Sequence, residues 1–539
     1  MQKLETIMLI PIFFGIILLT FSWFISYPVT IDSPYDFRYN HISVFYWLSL
    51  PILFSSFFIV GMKTRNNILR WVMTVGTVLL MYSTAYFHYM IPGSDSHSFR
   101  GLTEYFVSTG DLSPAPHHDY YQWPLFFILN KMATSIIDFD LRYFEFVFYG
   151  TVGFVIISLI YLRTSKTGAN GYLATTVLFI ILSFFFNYQW APFALSLIFI
   201  LLLFYLDSIS EKRIVVYVML IIFSVLTYTH MLVPIFYIVY SFLMYVMKKN
   251  RRYLMLFLST LIIYLMVQSY GQLFTPYVKQ LANLHLLEFQ HDIETTITSS
   301  GPLQPDIDVI AQFFSRIVVI TTMIITGLGF IVLLIKRKFR VEDYAMLLTG
   351  MIFMVTLIVS IRAYSNMGHR AFFLIAIPAS LGAAYLVEGR FKTYFKPTFM
   401  ILLIAFTFVI VHKTFYDRQI VFQTRKEHHY ANFMIDSIDW KNPHTSLLSH
   451  YRFMLYLKTK SASEKVMFKS DFSEGKLRND FPLDIPNHTY IAYTVGLGKS
   501  FMRVNYSVDK SYEEFEINHF NLIYNSGDYS QVFMLPKIR

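Results

Sequence analysis

The sequence predicts an all-α polytopic membrane protein followed by a C-terminal α/β extracytoplasmic domain. Of its 539 residues, 55% are hydrophobic and only 14% are charged. Apolar runs of roughly 20 residues, the length that a helix needs to cross the hydrocarbon core, recur along residues 1–413. Residues 414–539 are polar and contain short strand-like runs. We therefore expect a transmembrane domain over 1–413 and a soluble domain over 414–539.

The apolar runs predict about thirteen transmembrane helices. Only Lys3 precedes the first run, and no small-residue cleavage site accompanies it, so we expect a retained helix and not a signal peptide. The expected spans are 7–27, 44–62, 70–90, 143–163, 171–187, 191–207, 213–229, 231–247, 252–271, 312–335, 343–361, 371–388 and 397–413.

Basic residues predict the orientation of these helices. The formal charge of +10 is spread over short connections between apolar runs, which argues against a nucleic-acid surface and matches the positive-inside rule. We expect these connections and the N-terminus in the cytoplasm, and the C-terminal domain outside the cell membrane. The clusters are Lys63-Arg65-Arg70, Arg163-Lys166, Lys212-Arg213, Lys248-Lys249-Arg251-Arg252, Lys336-Arg337-Lys338-Arg340 and Arg390-Lys392-Lys396.

The first long outer loop, residues 91–142, concentrates carboxylates and histidines, including Asp95, His97 and Glu104. Such groups beside a bilayer indicate chemistry at the membrane surface, although a solvated connector is the simpler alternative. We expect two interfacial helices in this loop. In the first, over 98–109, the apolar side chains share one face and Arg100 and Glu104 lie elsewhere.

The second expected interfacial helix covers residues 122–137. This apolar run is short and is interrupted by Asn130 and Lys131. If it crossed the membrane, Arg163 and Lys166 would face outward and every later basic connection would invert. It therefore fits an interfacial or re-entrant helix on the outer face.

Other unusual polar residues fall in the remaining outer turns. For Arg370 alone, snorkelling to the interface is the simpler explanation, and for His230 it is a satisfied interhelical hydrogen bond. A second long outer loop covers 272–311. The further outer-turn residues are Tyr188, Gln189, Trp190, Thr229, Arg362 and His369.

Residues 414–539 predict a mixed α/β domain with a helix near 426–439. The sequence of this domain contains no phosphate-binding loop, paired metal-ligand motif or nucleophile elbow. The whole chain lacks Cys, which excludes a disulfide framework and a thiolate nucleophile. The strand-like runs are Ser446–Leu457, Lys465–Phe468, Thr489–Thr494, Phe501–Tyr506, Phe520–Tyr524 and Gln531–Leu535.

The order of motifs over residues 70–413 resembles the GT-C superfamily of integral membrane glycosyltransferases, which includes protein O-mannosyltransferases and lipid A aminoarabinose transferases. The likeness lies in the pattern of spans and outer turns. Its elements are Asp95 before an amphipathic helix, Thr109-Gly110-Asp111-Leu112, Tyr121-Gln122-Trp123-Pro124, Asp140-Leu141-Arg142, Tyr188-Gln189-Trp190-Ala191-Pro192, Thr229-His230 and His369-Arg370.

The resemblance implies a polyprenyl-phosphate sugar donor delivered from the bilayer, inversion at the anomeric carbon and an active site on the outer face. Asp95 matches the first-loop carboxylate that acts as base or orients the acceptor, with His97 and Glu104 as further catalytic candidates. The resemblance assigns the donor phosphate to Arg370, Arg362, His369 and His230. It assigns the substrate pocket to Tyr121, Trp123, Tyr188, Gln189 and Trp190.

Several alternatives stay open. Many members of that superfamily carry the key loop after their first span, whereas here two extra spans precede the loop with Asp95, so the earlier outer loop with Asp32 and Asp36 is a second candidate for the catalytic loop. Asp95-Ser96-His97 is not an Asp-X-Asp metal motif; a divalent cation (Mg or Mn) held by Asp95 and His97 is compatible with it but is not implied. The acceptor can be protein, lipid or polysaccharide. The competing functions are a transporter or lipid flippase, and a non-catalytic GT-C-like subunit that presents a glycolipid. A lipid-linked glycan polymerase or ligase, which would use outer-loop arginines without a carboxylate base, is a further enzyme alternative.

Overall fold

The computed structural model of the protein describes most of the region before residue 389 and short segments after it. Almost every described residue in that first region is helical. The described residues are 2–30, 42–87, 94–109, 123–137, 141–167, 170–185, 191–209, 212–269, 320–332, 334–335, 340–360, 365–388, 401, 403–404, 407, 446–449, 466–468, 489–494, 521–525 and 530–534.

Many consecutive helices are separated by short connections, whereas a long segment separates the helix that ends at Ser269 from the one that begins at Ile320. A 3₁₀ turn, Ser83–Phe87, follows α3. The α-helices are α1 Gln2–Thr30, α2 Val44–Lys63, α3 Asn67–Met81, α4 Ser94–Thr109, α5 Leu125–Ile137, α6 Leu141–Thr167, α7 Gly171–Phe185, α8 Pro192–Ile209, α9 Arg213–Thr227, α10 Val233–Lys248, α11 Arg251–Ser269, α12 Ile320–Val332, α13 Val341–Ser360 and α14 Ser365–Glu388.

Five of the helices in the described residues are long and apolar enough to cross a membrane. The chain is therefore a membrane protein by the length and composition of its helices. The other apolar segments found by this criterion have 10–17 residues, and α13 has 20 residues but is not among the five, so the count of about thirteen spans stays a prediction. The five segments are Leu9–Tyr27, Val44–Lys63, Tyr143–Lys166, Pro192–Ile209 and Arg251–Ser269.

Local sequence explains where several helices begin. Ser43 precedes α2, and its hydroxyl accepts a hydrogen bond from the Phe45 N–H at 3.3 Å. Asn66 precedes α3 and accepts from the N–H groups of Ile68 and Leu69 in the same way. These side chains satisfy backbone donors that a first helical turn leaves without intrahelical partners.

Helix α7 lies at the centre of the bundle. It packs against α3, α6 and α14. Every side chain from Gly171 to Leu182 is buried, which is the pattern expected of a helix that is hydrophobic on all sides. Helix α6 also packs against α8, α8 against α10, α10 against α13, and α13 against α14.

Buried ion pairs join helix ends on one side of the bundle, which we call the basic end. Asp207 of α8 accepts hydrogen bonds from Arg252 at 3.0 Å, Tyr240 at 2.8 Å and Tyr253 at 3.1 Å. The pair connects α8 to α10 and α11. Because each charge is buried, neither can be removed without leaving the other unpaired in a medium of low polarity.

A second buried pair completes the basic end. Arg163 of α6 lies 3.3 Å from Asp343 of α13, and the Tyr385 hydroxyl of α14 donates to the same carboxylate at 2.6 Å. The Arg163 guanidinium carbon also lies 5.6 Å from the centre of the Phe204 ring. If the helices alternate in direction, the predicted basic connections all lie at one end of the bundle. Residues from five of these connections, or from the turns beside them, would then meet here. The side of the membrane that this end faces stays a prediction.

The bundle differs from the sequence expectation at several helix ends. α14 begins at Ser365, before the expected start at 371, so His369 and Arg370 lie within a helix and not in the expected outer turn. The expected span 70–90 is not one continuous helix, because α3 ends at Met81 and a 3₁₀ turn follows. Arg163 was expected in a loop, but α6 continues to Thr167 and buries its side chain. An acidic partner on a distant helix makes that burial tolerable.

The described part of residues 414–539 is a five-stranded sheet with the order β2-β1-β3-β5-β4. β1 is parallel to β2 and β3, whereas β5 is antiparallel to β3 and β4. Parallel neighbours require crossover connections. The strands are β1 Ser446–Ser449, β2 Val466–Phe468, β3 Thr489–Thr494, β4 Asn521–Asn525 and β5 Ser530–Met534.

Each described strand overlaps one of the runs expected from the sequence. The expected strand Phe501–Tyr506 and the expected helix near 426–439 lie outside the described residues. The α/β character of residues 414–539, and the boundary at 413, therefore stay predictions.

Glycine contacts give a first testable prediction. A methyl group on Gly329 of α12 would overlap the backbone of Gly382 of α14, whereas no described atom lies within 4 Å of one on Gly327. We expect Gly329→Ala to lower the free energy of unfolding by about 1–3 kcal/mol. Gly327→Ala, two residues away, should change it by no more than about 0.5 kcal/mol. Equal thermal shifts for the two variants in detergent would contradict this packing.

The basic end gives a second prediction, from two adjacent arginines. Arg252 is buried against Asp207, whereas Arg251 is exposed. We expect Arg252→Ala to destabilise the fold by about 3–5 kcal/mol, because Asp207 would keep a buried charge without its partner. Arg251→Ala should stay near the wild-type midpoint in thermal unfolding. Equal unfolding temperatures for the two variants would contradict a stabilising role for the Asp207–Arg252 pair.

Candidate functional site

The helix α4 carries the candidate catalytic residues of the first long loop. Asp95 and His97 lie in its first turn, and the helix begins four residues before the expected start at 98. The side chains of both lie outside the described residues. Positions two apart on a helix lie on different faces, so a helical backbone does not favour them as joint ligands of one cation.

Helix α4 is more deeply packed than the sequence predicts. Phe99, Leu102 and Phe106 are buried, as expected for the apolar face. Arg100 was expected away from that face, yet its side chain is only 1% exposed, and Glu104 is half-buried. The expectation of a helix lying on the membrane with a solvated polar face is therefore wrong for Arg100.

An ion pair explains the burial of Arg100. Its Nε donates to Oε1 of Glu145 in α6 at 2.5 Å, and its Nη2 contacts Oε2 of the same carboxylate. Glu145 is fully buried. Two parallel contacts between a guanidinium and a carboxylate fix both distance and orientation. The pair therefore holds α4 on the first turns of α6.

Helix α5 packs beside α4 and caps its end. The Lys131 ammonium donates to the Phe106 carbonyl at 3.2 Å and lies 4.6 Å from the centre of the Phe106 ring. A cation near the last carbonyls of a helix is favourable. Asn130 is buried and donates to the Phe126 carbonyl. The two residues that interrupt the apolar run thus face the protein.

The turn after α9 belongs to the same end of the bundle, which we call the loop end. The Leu125 N–H at the start of α5 donates to the Tyr228 carbonyl at 3.3 Å. His230 is 4% exposed, and its Nδ1 accepts from the Leu232 N–H at 3.1 Å. The contact of His230 with its own turn shows that part of its hydrogen bonding is local.

An apolar cavity lies below this turn, between the 3₁₀ turn and helices α3, α6, α7 and α8. Phe193 both lines it and contacts the His230 ring, with 5.4 Å between ring centres. At Gly153 of α6, no described atom lies within 4 Å of an added Cβ. Other lining residues are Val78, Leu79, Tyr82, Tyr86, Phe148, Gly150, Val152, Ile156, Ile157, Phe179, Leu182, Ala191, Ala194 and Leu197.

The other expected site residues are less fully described. Trp123 is buried just before α5. His369 and Arg370 lie near the start of α14, and their side chains lie outside the described residues. The positions outside the described residues are Asp32, Asp36, Tyr121, Tyr188, Gln189, Trp190, Arg362 and the loop 272–311.

The sequence interpretation missed Glu145, the described acid most closely tied to the first loop. The sequence feature that could have identified Glu145 is a carboxylate inside an otherwise apolar run, where an unpaired charge is energetically costly. Among the described residues, no group of three His, Cys, Asp or Glu side chains could hold a metal ion.

Comparison with known proteins adds no family. No protein-family model matches the chain, and no curated protein matches it.

Proposed function

We propose that this protein is a GT-C-type membrane glycosyltransferase. It moves a sugar from a polyprenyl-phosphate donor to an acceptor on the outer face of the membrane. The apolar cavity carries the proposal, because it lies inside a membrane bundle directly below the turn of His230. This placement suits a lipid chain whose phosphate reaches the loop end, where the first loop supplies carboxylates.

The proposed chemistry divides between two groups of residues. Asp95 accepts the proton of the attacking acceptor group, or orients that group, while the anomeric carbon gains oxocarbenium character. Arg370 and Arg362 hold the donor phosphate, and they stabilise the charge that grows on it as the sugar leaves. Attack from the face opposite the leaving phosphate inverts the anomeric carbon.

The remaining candidates have supporting roles in this proposal. His97 and Glu104 lie on the helix of Asp95, and His369 and His230 assist at the phosphate. Tyr121, Tyr188, Gln189 and Trp190 line the substrate pocket. The burial of Trp123 favours a role in holding the loop over one in stacking on a sugar.

We place the N-terminus in the cytoplasm, about thirteen helices across the bilayer, and residues 414–539 on the outer side. The meeting of Arg163, Lys248 and Arg252 at one end of the bundle supports alternating helix directions. Mg or Mn at the carboxylates is compatible with this scheme, and the chelator arm below tests it.

A transporter or lipid flippase is the second candidate. The buried pairs Asp207–Arg252 and Arg163–Asp343 favour it, because intramembrane charges often mark transport paths. Both pairs lie near helix ends and each charge has its partner, which is typical of a structural role. A non-catalytic subunit presenting a glycolipid is the third candidate.

The first test uses purified protein in lipid nanodiscs with a panel of polyprenyl-phosphate sugars. We expect Asp95→Asn to keep donor affinity and to lose at least about 100-fold in turnover, because it keeps the volume but not the proton acceptor. Mass spectrometry of released sugar, with and without a chelator, measures this.

Arg370→Ala is the contrasting variant. We expect it to weaken donor binding as well as to slow turnover, whereas Asp95→Asn should affect turnover alone. Full activity in Asp95→Asn would remove Asp95 as the base. Donor binding without turnover in the wild type would favour the presenting subunit, and no donor binding would favour the transporter.

The cavity gives a separate prediction. Gly153→Leu should fill it and raise the KM for long-chain donors at least about tenfold, since each excluded CH₂ forfeits about 0.8 kcal/mol of burial. Gly327→Leu is the matched control, because its added side chain also meets open space but on α12. Titrating a donor with a short, water-soluble chain separates lipid binding from sugar binding. An unchanged KM in Gly153→Leu would exclude this cavity as the donor site.

A further inference from the structure

The pair Arg100–Glu145 is the most completely buried ion pair at the loop end of the described bundle. Its side chains are 1% and 0% exposed, and they are 45 residues apart in the sequence. It connects α4, which carries Asp95, to α6, which lines the apolar cavity.

Stability alone does not account for such a pair. Removing two charges from water costs several kcal/mol, and a well-packed apolar pair in the same space is often equally stable or more stable. An apolar pair cannot fix the orientation of one helix against the other, because the hydrophobic effect is non-directional. The two guanidinium–carboxylate contacts define the height and the rotation of α4 against α6.

The pair can affect Asp95 because of where Arg100 lies on α4. Arg100 follows Asp95 by five residues, which is about one and a half helical turns. Lys131 holds α4 near its opposite end, at Phe106. Two directional contacts at separate points of one short helix leave little freedom for its first turn.

We propose that Arg100 and Glu145 are positioning residues that set the register of α4 and thereby place the carboxylate of Asp95 relative to the donor. This inference rests on the proposed glycosyltransferase function. Neither residue contacts the reacting atoms; each acts through the helix that carries Asp95. A displacement of about 1 Å at a reacting group can cost about 100-fold in rate.

The test is an apolar replacement of the pair, Arg100→Met with Glu145→Leu, in full-length protein in nanodiscs. We expect turnover to fall about 10- to 100-fold, with an unchanged donor KM and an unchanged thermal midpoint. The matched control is Arg163→Met with Asp343→Leu, which replaces the buried pair at the basic end and should keep wild-type turnover.

Arg100→Lys covers the case in which the double variant does not fold. It keeps the charge but lacks the planar fork, so we expect an intermediate turnover and a normal midpoint. Wild-type turnover in both loop-end variants would overturn the proposal. Equal losses in the loop-end and basic-end double variants would also overturn it, because they would indicate general loosening.

A distance measurement separates this proposal from the proposed function. The chain has no Cys, so spin labels can be attached at Tyr105→Cys on α4 and Val44→Cys on α2. We expect the loop-end double variant to broaden or shift the label distance, and the basic-end control to leave it unchanged. If the wild type shows no turnover with any donor, the proposed function fails while the distances still judge the positioning. Unchanged distances would refute the positioning whatever the activity.

Discussion

The hydrocarbon core imposes the constraint on which the rest of this structure depends. A backbone that crosses it must satisfy its own hydrogen bonds, and helices do this within one segment. The same medium makes an unpaired charge costly. The described bundle obeys both conditions: α7 is buried and apolar on all sides, and the buried charges of α6, α8 and α13 have acidic or basic partners on other helices.

The two ends of the bundle use buried charge in different ways. At the basic end, Asp207 and Asp343 accept from arginines and tyrosines of neighbouring helices and bind the bundle together. At the loop end, Glu145 instead holds α4, a helix outside the main set of long apolar helices, through Arg100. The first arrangement fixes a scaffold. The second fixes the segment that carries Asp95 and His97 onto α6, the helix that also lines the apolar cavity.

The two short helices of the first long loop could be predicted from local pattern, and the ion pair that holds the first of them could not. The interrupted run 122–137 predicts a short helix, and α5 is that helix. The face of Phe99, Leu102 and Phe106 follows from helical spacing. The same spacing places Arg100 away from the buried face, although its side chain is buried. Periodicity measures apolarity and cannot identify a charged partner on another helix. The sugar and the acceptor of the proposed reaction would be selected by side chains of the outer loops, and no local pattern specifies them.

The sequence by itself determined that this chain forms long apolar helices, where most of them begin and end, and where strand-like runs lie after residue 413. These properties depend on length and composition within a short window. Only the tertiary structure decided which charges meet. Arg100 and Glu145 are 45 residues apart, as are Asp207 and Arg252, and Arg163 and Asp343 are 180 apart. Such pairs form only when particular helices become neighbours, and neighbours are chosen by packing across the whole bundle.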